Sequence, residues 1–267
     1  MSVQVAEPVP GDDRGVRPPG STRAGDFQAF LVALFLALAV WQLATLVSDG
    51  WVPSLAQIFG ALIEDLQDSL TYESIFITFR RILIAFVAST LIGVLIGVGM
   101  GLNKRVEAFF RPLVVISLAI PDPVYIIFAI LILGTEESSG LIAMTIALVP
   151  FIVNIVVAGV HARDVGLDEM SGVYRFGSKR YLVHVVGYQI APALLAAART
   201  SFAFSWKLVV LVEALSQPEG IGAQIYYSFR LLRPAHMISL ALIFIVIMRA
   251  VDALVFERIE RRALAWM

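Results

Sequence analysis

The sequence of 267 residues contains no cysteine and few charged residues. Without a thiol the chain can form no disulfide, no thiolate metal site and no cysteine nucleophile. Asp, Glu, Lys and Arg make up only 15% of the residues, whereas hydrophobic residues make up 59%. Soluble domains carry roughly 25% charged residues, so much of this chain is expected to face lipid. The net charge of −1 gives no basis for nucleic acid as a partner.

Sequence motifs of the common enzyme classes are missing as well. The chain lacks the Gly-x-x-x-x-Gly-Lys-Ser/Thr loop that binds ATP phosphates, the zinc motif His-Glu-x-x-His and the hydrolase motif Gly-x-Ser-x-Gly. Its three histidines, His161, His184 and His236, are far apart in the sequence. We therefore predict a protein that is not an enzyme, with no catalytic residue, no metal site and no cofactor bound by the chain itself.

Long apolar runs are what the chain has in quantity. A helix needs about 20 mostly apolar residues to cross a bilayer, and six windows meet this requirement: 27–47, 82–102, 113–133, 140–160, 193–215 and 237–256. We predict an all-α, polytopic membrane bundle of about six transmembrane helices over 27–256. The Pro- and Gly-rich stretch 1–26 is predicted to be a disordered tail, and 257–267 a short second tail. The acidic, amphipathic segment 51–78 is predicted to form a short surface helix.

Lysine and arginine are distributed unevenly between the loops. With the amino terminus inside, the cytoplasmic segments hold 13 of these residues and the outer segments hold 4. Because short loops rich in Lys and Arg stay in the cytoplasm, we predict that both termini are cytoplasmic. The protein is then a multi-pass protein of the plasma (inner) membrane.

The third window contains the run Pro121-Asp122-Pro123. Proline breaks the helical hydrogen-bond ladder, which a membrane helix tolerates only where protein or water satisfies the freed groups. This run predicts either a broken helix beside a cavity or a simple kink. In the fourth window Pro150 is expected to bend the helix, and Asn154 follows one turn later.

The second window carries small residues at four-residue steps: Ser89, Gly93, Gly97 and Gly101. This spacing forms a groove along one helix face, where another helix backbone can approach closely. Tight packing within the bundle is favoured over an interface between subunits.

The segment 161–192, between the fourth and fifth windows, is the longest predicted cytoplasmic loop. Its apolar residues recur at three- and four-residue steps, and Gly177 interrupts them. The pattern predicts two short amphipathic helices joined at a glycine. Their apolar face is expected to dock on a partner, while Arg175, Lys179 and Arg180 stay in water.

Several motifs in this loop and beyond it resemble those of binding-protein-dependent ABC importer permeases. Residues 176–181, Phe-Gly-Ser-Lys-Arg-Tyr, look like the Phe-Gly-Ala-Ser-Arg-Trp of that family's coupling loop, and Pro192 resembles the proline that opens the next helix. The seven-residue spacing of Arg199, Trp206 and Glu213, followed by Gly220-Ile221-Gly222, resembles the nitrate, sulfonate, taurine and bicarbonate class. The pair Arg249 and Asp252 matches a basic-x-x-Asp pattern near the end.

The resemblance implies a division of labour between subunits. A separate cytoplasmic ATPase would use ATP and Mg, an extracytoplasmic solute-binding protein would deliver the solute, and a second permease copy or a sister permease would complete the path in the lipid bilayer. The loop would insert into the ATPase and rock the helices between inward- and outward-open states. Ser171 stands where the family has its signature glutamate and Gly172 where it has an alanine, while Glu169 supplies the acid under a shifted alignment. The predicted ATPase-coupling residues are Glu169, Ser171, Gly172, Phe176, Gly177 and Arg180.

Ionisable residues within membrane spans are costly and usually face a cavity or a partner. Lys207 lies at mid-depth, where it is expected either to attract an anionic substrate or to snorkel or pair with Asp122. Glu213 is expected to cap backbone groups near Gly220, and Arg249 and Asp252 to form an ion pair on one helix face. The candidate residues of the translocation path are Pro121, Asp122, Asn154, Trp206, Lys207 and Glu213.

Other functions explain the sequence less well. A stand-alone secondary carrier or channel would often carry an inverted internal repeat with paired broken helices, and the two halves of this chain do not resemble each other. A membrane enzyme would need one of the missing motifs. We therefore predict an importer permease for a small solute, favouring an anion such as a sulfonate, nitrate, bicarbonate or an organic acid.

Overall fold

The computed structural model describes residues 23–48, 51–256 and 258, with side chains from Gln28 onward. This part of the chain consists of helices joined by short turns and contains no strand. The helices are α1 (Arg23–Val47), α2 (Leu55–Gln67), α3 (Ser69–Leu102), α4 (Lys104–Ala119), α5 (Asp122–Leu133), α6 (Glu137–His161), α7 (Val165–Val173), α8 (Ser178–Arg180), α9 (Gly187–Ser216), α10 (Ile221–Arg230) and α11 (Pro234–Val251). Two π-helical turns, Tyr181–Val186 and Asp252–Phe256, follow α8 and α11.

Five helical segments of the described chain are long and apolar enough to cross a membrane. The bent pair α4 and α5 makes a sixth if its two arms are taken as one broken span. The predicted all-α bundle of about six transmembrane helices is therefore confirmed.

The chain divides into two compact units, one ending at Val52 and the other beginning at Pro53. In the first unit, α1 begins at Arg23, inside the stretch that was predicted to be a tail, and none of its described side chains is buried. Residues 1–22, 257 and 259–267, which hold the remainder of the predicted tails, lie outside the described residues.

The second unit begins with two helices that meet at Asp68. Ser54 and Gln57 form a capping box at the start of α2, and Asp68 caps α3 by accepting from the Leu70 N–H at 3.0 Å. The predicted surface helix is present as α2, but the rest of that segment belongs to α3. The second span therefore starts well before the apolar window 82–102, because its early polar residues are buried against other helices.

The small residues of α3 pack against α6. A Cβ added at Gly93 would lie 2.6 Å from the Ile152 side chain, and one at Gly97 would lie 2.8 Å from Val156. The two backbones can approach this closely only because these positions lack side chains. The predicted groove is therefore filled within the bundle.

The third span is broken rather than straight. The axes of α4 and α5 differ by 100°, with the break at Ile120 and Pro121. The Tyr125 hydroxyl donates to the Ser117 carbonyl at 2.8 Å and so joins the two arms. A cavity of about 340 Å³ lies beside the break, lined by apolar side chains of α5 and α6 such as Tyr125, Phe128 and Ile146. Of the two predicted alternatives, the structure has the broken helix beside a cavity.

The predicted cytoplasmic loop contains one separate helix, α7. The second predicted short helix is the beginning of a helical run that extends without interruption from Ser178 to Ser216. Pro192 lies inside α9 instead of opening it, which corrects the prediction. A transmembrane helix tolerates the lost hydrogen bond of an internal proline when its surroundings satisfy the freed carbonyl.

Two ends of the second unit can be recognised from its contacts. At the end that we call the Arg81 end, the first half of α3 meets the start of α6 and the end of α9. At the other, which we call the α7 end, Gly101 of α3 lies against Val160 of α6, just before α7 begins. The main hydrophobic core between them joins α3, α5, α6, α9, α10 and α11 around residues such as Ile82, Leu148 and Val209.

Candidate functional site

A buried carboxylate organises the Arg81 end. Glu213, near the end of α9, has no exposed surface. Its Oε1 atom lies 2.8 Å from Nη1 of Arg81, and the Thr78 hydroxyl donates to the carboxylate at 2.9 Å. A buried charge is tolerated only when it is paired and hydrogen-bonded, and both conditions are met here.

The same carboxylate fixes the start of α10. The Gly222 N–H donates to Oε2 of Glu213 at 2.9 Å, as the predicted capping near Gly220 requires, and the Ile221 N–H donates to the Thr78 hydroxyl. Gly220 has φ +112°, and a Cβ there would overlap the Glu213 carboxylate. Only glycine satisfies both constraints at this position. The turn between α9 and α10 is therefore set by Glu213.

Arg81 extends this network to two further groups. Its Nη1 atom donates to the Glu219 carbonyl at 2.7 Å, and its Nε donates to Glu137 at 3.0 Å. Glu137 is the first residue of α6. On its exposed side, Nη2 of Arg80 donates to the Glu137 carboxylate at 2.5 Å. One arginine thus joins α3, α6, α9 and the turn before α10. Its role was missed from the sequence, where Arg80 and Arg81 were two of the four basic residues counted in the outer segments. Two adjacent arginines beside an apolar window were the available signal.

The middle of α6 and α9 carries a partly exposed aromatic pair beside a cation. Phe151 of α6 stacks on Phe204 of α9 with ring centroids 4.8 Å apart. The Lys207 ammonium lies 5.4 Å from the centroid of the Phe204 ring, in the range of a cation–π contact. Lys207 is exposed, and within the described residues it forms no ion pair, including none with Asp122. Asn154 is also exposed, one turn along α6 from Phe151.

The remaining path candidates lie in different surroundings. Trp206 is buried in the main core, 4.6 Å from the Phe244 ring, so its side chain serves packing. Pro121 precedes α5 at the break, and Asp122 is the partly buried first residue of that helix. The structure therefore separates the candidates into the exposed Lys207 and Asn154, the break of the third span, and two buried residues of α9.

At the α7 end, several apolar side chains are exposed. Val173 and Tyr174 are 80% and 70% exposed, and Met170 and Phe176 are also exposed. Of the predicted coupling residues, Ser171 is buried and its hydroxyl donates to the Asp168 carbonyl at 2.6 Å. The others are exposed: Glu169, Gly172, Phe176, Gly177 and Arg180.

Arg163 holds α7 in place and was not predicted. Its Nε donates to the Val160 carbonyl of α6 at 2.7 Å, its Nη1 donates to the Tyr181 hydroxyl at 3.1 Å, and its Nη2 lies 3.6 Å from the Asp168 carboxylate. The Gln189 side chain accepts from the Asp164 N–H at 2.7 Å. These contacts connect α7 both to α6 and to the run leading into α9. The position of an arginine between an apolar window and an amphipathic segment was the available signal.

An ionic contact also joins α9 to the last span. Asp252 lies 2.8 Å from Arg249, as predicted, and 3.3 Å from Arg199 of α9.

Near the Arg81 end, His236 of α11 lies 2.9 Å from Asp65 of α2. Among the residues that the structure describes, no group of three metal-binding side chains is placed to hold an ion.

Comparison with known proteins gives consistent matches over most of the chain. The family model of binding-protein-dependent transport system inner membrane components matches residues 89–263. A putative aliphatic sulfonates transport permease of Bacillus subtilis is 23% identical over 94% of this chain and 91% of its own length. A nitrate import permease of Synechococcus elongatus is 21% identical over 80% of this chain and 84% of its own length. A taurine transport system permease of Escherichia coli is 22% identical over 68% of this chain and 69% of its own length.

The fold has been seen in a solved transporter. The MetNI methionine ABC transporter, in an inward-facing conformation, matches 73% of this chain and 96% of the aligned chain with a TM-score of 0.62 and 19% identity. At that identity the likeness concerns the fold.

Proposed function

The chain belongs to the binding-protein-dependent transport system inner membrane components, and we propose that it is the permease of an ATP-driven importer for a small anion. The family match carries the importer assignment. The anionic cargo is supported by relatives named for sulfonate, nitrate and taurine transport and by the exposed Lys207 at mid-span.

The proposed assembly contains subunits other than this chain. A cytoplasmic ATPase would hydrolyse ATP with Mg, a solute-binding protein would dock at the opposite face, and a second permease copy or a sister permease would complete the path. Both termini and α7 would be cytoplasmic, which the excess of Lys and Arg in these segments supports. The Arg81 end would then face outward.

The surface of α7 is suited to docking on the ATPase. An exposed apolar cluster at a wet membrane boundary marks an interaction site, and Met170, Val173 and Tyr174 form such a cluster. Arg163 would keep this helix rigid relative to α6 and α9. Closure of the ATPase subunits would push α7 and so shift both helices between inward-open and outward-open arrangements.

Val173→Asp tests the docking surface. A charge at the centre of an apolar contact is expected to reduce co-purification of the ATPase with the permease at least tenfold, because the carboxylate would lose its water on docking. Leu232→Asp is a matched control, since Leu232 is 68% exposed in the turn between α10 and α11. Equal recovery of ATPase with both variants would contradict the docking role.

Lys207 would attract the anion inside the membrane. Lysine at the centre of a lipid-facing helix costs about 2.5–3.5 kcal/mol, so an exposed lysine without an ionic partner among the described residues is better placed on a water-filled path. Its contact with Phe204 would hold the ammonium over the stacked pair.

Lys207→Met is expected to lower uptake of nitrate or ethanesulfonate at limiting concentration about tenfold, while the assembled complex stays intact. Lys207→Arg, which keeps the charge, should recover part of the rate. The measurement is uptake into vesicles that contain the permease with its ATPase and binding protein. Normal uptake by the Met variant would remove Lys207 from the path.

A further inference from the structure

A cavity of about 680 Å³ lies at the Arg81 end, between the end of α9 and α10. Its volume is within the range of about 300–1,000 Å³ that small-molecule sites occupy. Unlike the apolar cavity beside the break of the third span, it is lined by many polar side chains. These include Thr135, Gln217, Gln224, Tyr226, Tyr227 and Arg230.

The charge balance of this cavity is positive. Glu213 contributes to its wall, but that carboxylate is already paired with Arg81 and accepts from Thr78 and Gly222. Among the residues that the structure describes, no other acidic side chain lines the cavity. Arg230 forms no ion pair or hydrogen bond with any residue in the described part of the chain. The guanidinium is therefore a cation that the fold leaves available at the cavity.

Two of the other polar side chains, both tyrosines, suit an oxyanion. The Nε2 atom of Gln217 already donates to the Glu136 carbonyl at 3.1 Å and the Ser216 hydroxyl at 3.2 Å. That of Gln224 donates to the Ser74 hydroxyl at 2.8 Å and the Leu70 carbonyl at 3.3 Å, so neither amide is left to donate to an anion. The hydroxyls of Tyr226 and Tyr227 have no hydrogen-bond partner among the described residues, and phenol O–H groups donate to anions. Arginine binds planar oxyanions through two parallel N–H donors.

We propose that this cavity is an outer binding station for the transported oxyanion, with Arg230 as its cation and Tyr226 and Tyr227 as donors. The station rests on the proposed function, because the Arg81 end must face outward and the cargo must be anionic. Lys207 lies six residues before Glu213 on α9, roughly 9 Å deeper along the helix. The anion would leave the binding protein at Arg230 and meet its next cation at Lys207.

Arg230→Gln tests the station, and Arg233→Gln is its matched control. Arg233 is an exposed arginine three residues further along, and it does not line the cavity. The assay uses the complete complex in vesicles, with nitrate and ethanesulfonate as probes and a titration of loaded binding protein. Arg230→Gln is expected to lower the maximal uptake rate at least fivefold while the half-saturating concentration of binding protein stays the same. Arg233→Gln should change neither quantity, and Arg230→Lys should restore part of the rate.

The possible results distinguish failure of the outer binding station from failure of the proposed function. A raised half-saturating concentration with an unchanged maximal rate would make Arg230 a docking residue for the binding protein and overturn the station. Equal effects of the Arg230 and Arg233 variants would also overturn it, because the effect would be general surface charge. If the unmodified complex took up neither probe with ATP, the proposed cargo would fail, and the station with it.

Discussion

Arg80 and Arg81 are adjacent in the sequence but differ in how far their side chains are exposed. The Arg81 side chain is 5% exposed and pairs with the fully buried Glu213, whereas Arg80 is 49% exposed and pairs with Glu137 on the exposed side. Exposed ion pairs contribute about 0–1 kcal/mol. Removing one partner of a buried pair costs about 3–5 kcal/mol, because the other charge is left without compensation.

Arg81→Met is therefore expected to lower the thermal unfolding midpoint of the purified permease strongly, whereas Arg80→Met should have little effect. The measurement is the midpoint in detergent, by loss of monodisperse protein on heating. Similar midpoints for the two variants would contradict the assigned burial of Arg81.

At the residue scale, the sequence predicted the partners of some charges and missed others. Capping near Gly220 by Glu213 and the Arg249–Asp252 pair followed from spacing along one helix or turn. Arg81 and Arg163 act across helices distant in sequence, and periodicity carries no information on such contacts. Pairing of Lys207 with Asp122 was the long-range alternative considered, and it is not found among the described residues.

At the element scale, the contact between α3 and α6 depends on glycine. An alanine at Gly93 would place its Cβ 2.6 Å from Ile152, while one at Gly99 would have only Val106 within 4 Å, at 3.7 Å. Forcing an extra carbon into a packed contact costs about 1–3 kcal/mol. Replacing an unhindered helical glycine by alanine contributes about 1 kcal/mol in the opposite direction.

Gly93→Ala should therefore lower the unfolding midpoint, and Gly99→Ala should leave it unchanged or raise it. Both variants add one methyl group to the same helix, so each is the control for the other. A midpoint that falls equally in both would mean that α3 is not packed against α6 as described.

A second prediction at the element scale concerns Arg163 and the coupling of ATP hydrolysis to solute movement. Arg163→Gln loses the contact with Asp168 and weakens the link to Tyr181, so α7 would move without moving α6 and α9. We expect the number of solute molecules moved per ATP hydrolysed to fall several-fold, with ATP hydrolysis itself retained. A merely structural defect would lower both rates together. The exposed Lys179, replaced by Gln, is the control and should keep the normal ratio.

The elements that the sequence predicted well are those whose signal is local. Apolar windows located the membrane helices, and Pro121 with Pro123 predicted the break as one of two alternatives. Helix starts were less predictable: α3 begins in polar residues that other helices bury, and the run into α9 passes through Pro192. The start of α3 was missed because its polar residues are buried against other helices, which the sequence does not display.

At the scale of the whole molecule, the two ends of the second unit differ in design. At the Arg81 end, the buried ion pair of Arg81 and Glu213 holds the helices together, beside the cavity that Arg230 lines. The α7 end exposes apolar side chains of a helix that Arg163 connects to α6 and to the run leading into α9. Composition alone predicted a membrane protein, whereas the difference between the ends required the structure. In the proposed importer, the Arg81 end would receive the solute and the α7 end would contact the ATPase.

ATP-dependent uptake by the reconstituted complex tests this account most directly. Vesicles containing the permease, its ATPase and the loaded binding protein are supplied with nitrate or ethanesulfonate, and each component is omitted in turn. Uptake is expected only when all three proteins and ATP are present, and Val173→Asp is expected to abolish it. Uptake by the permease alone, without ATP or the other subunits, would contradict this account and indicate a stand-alone carrier.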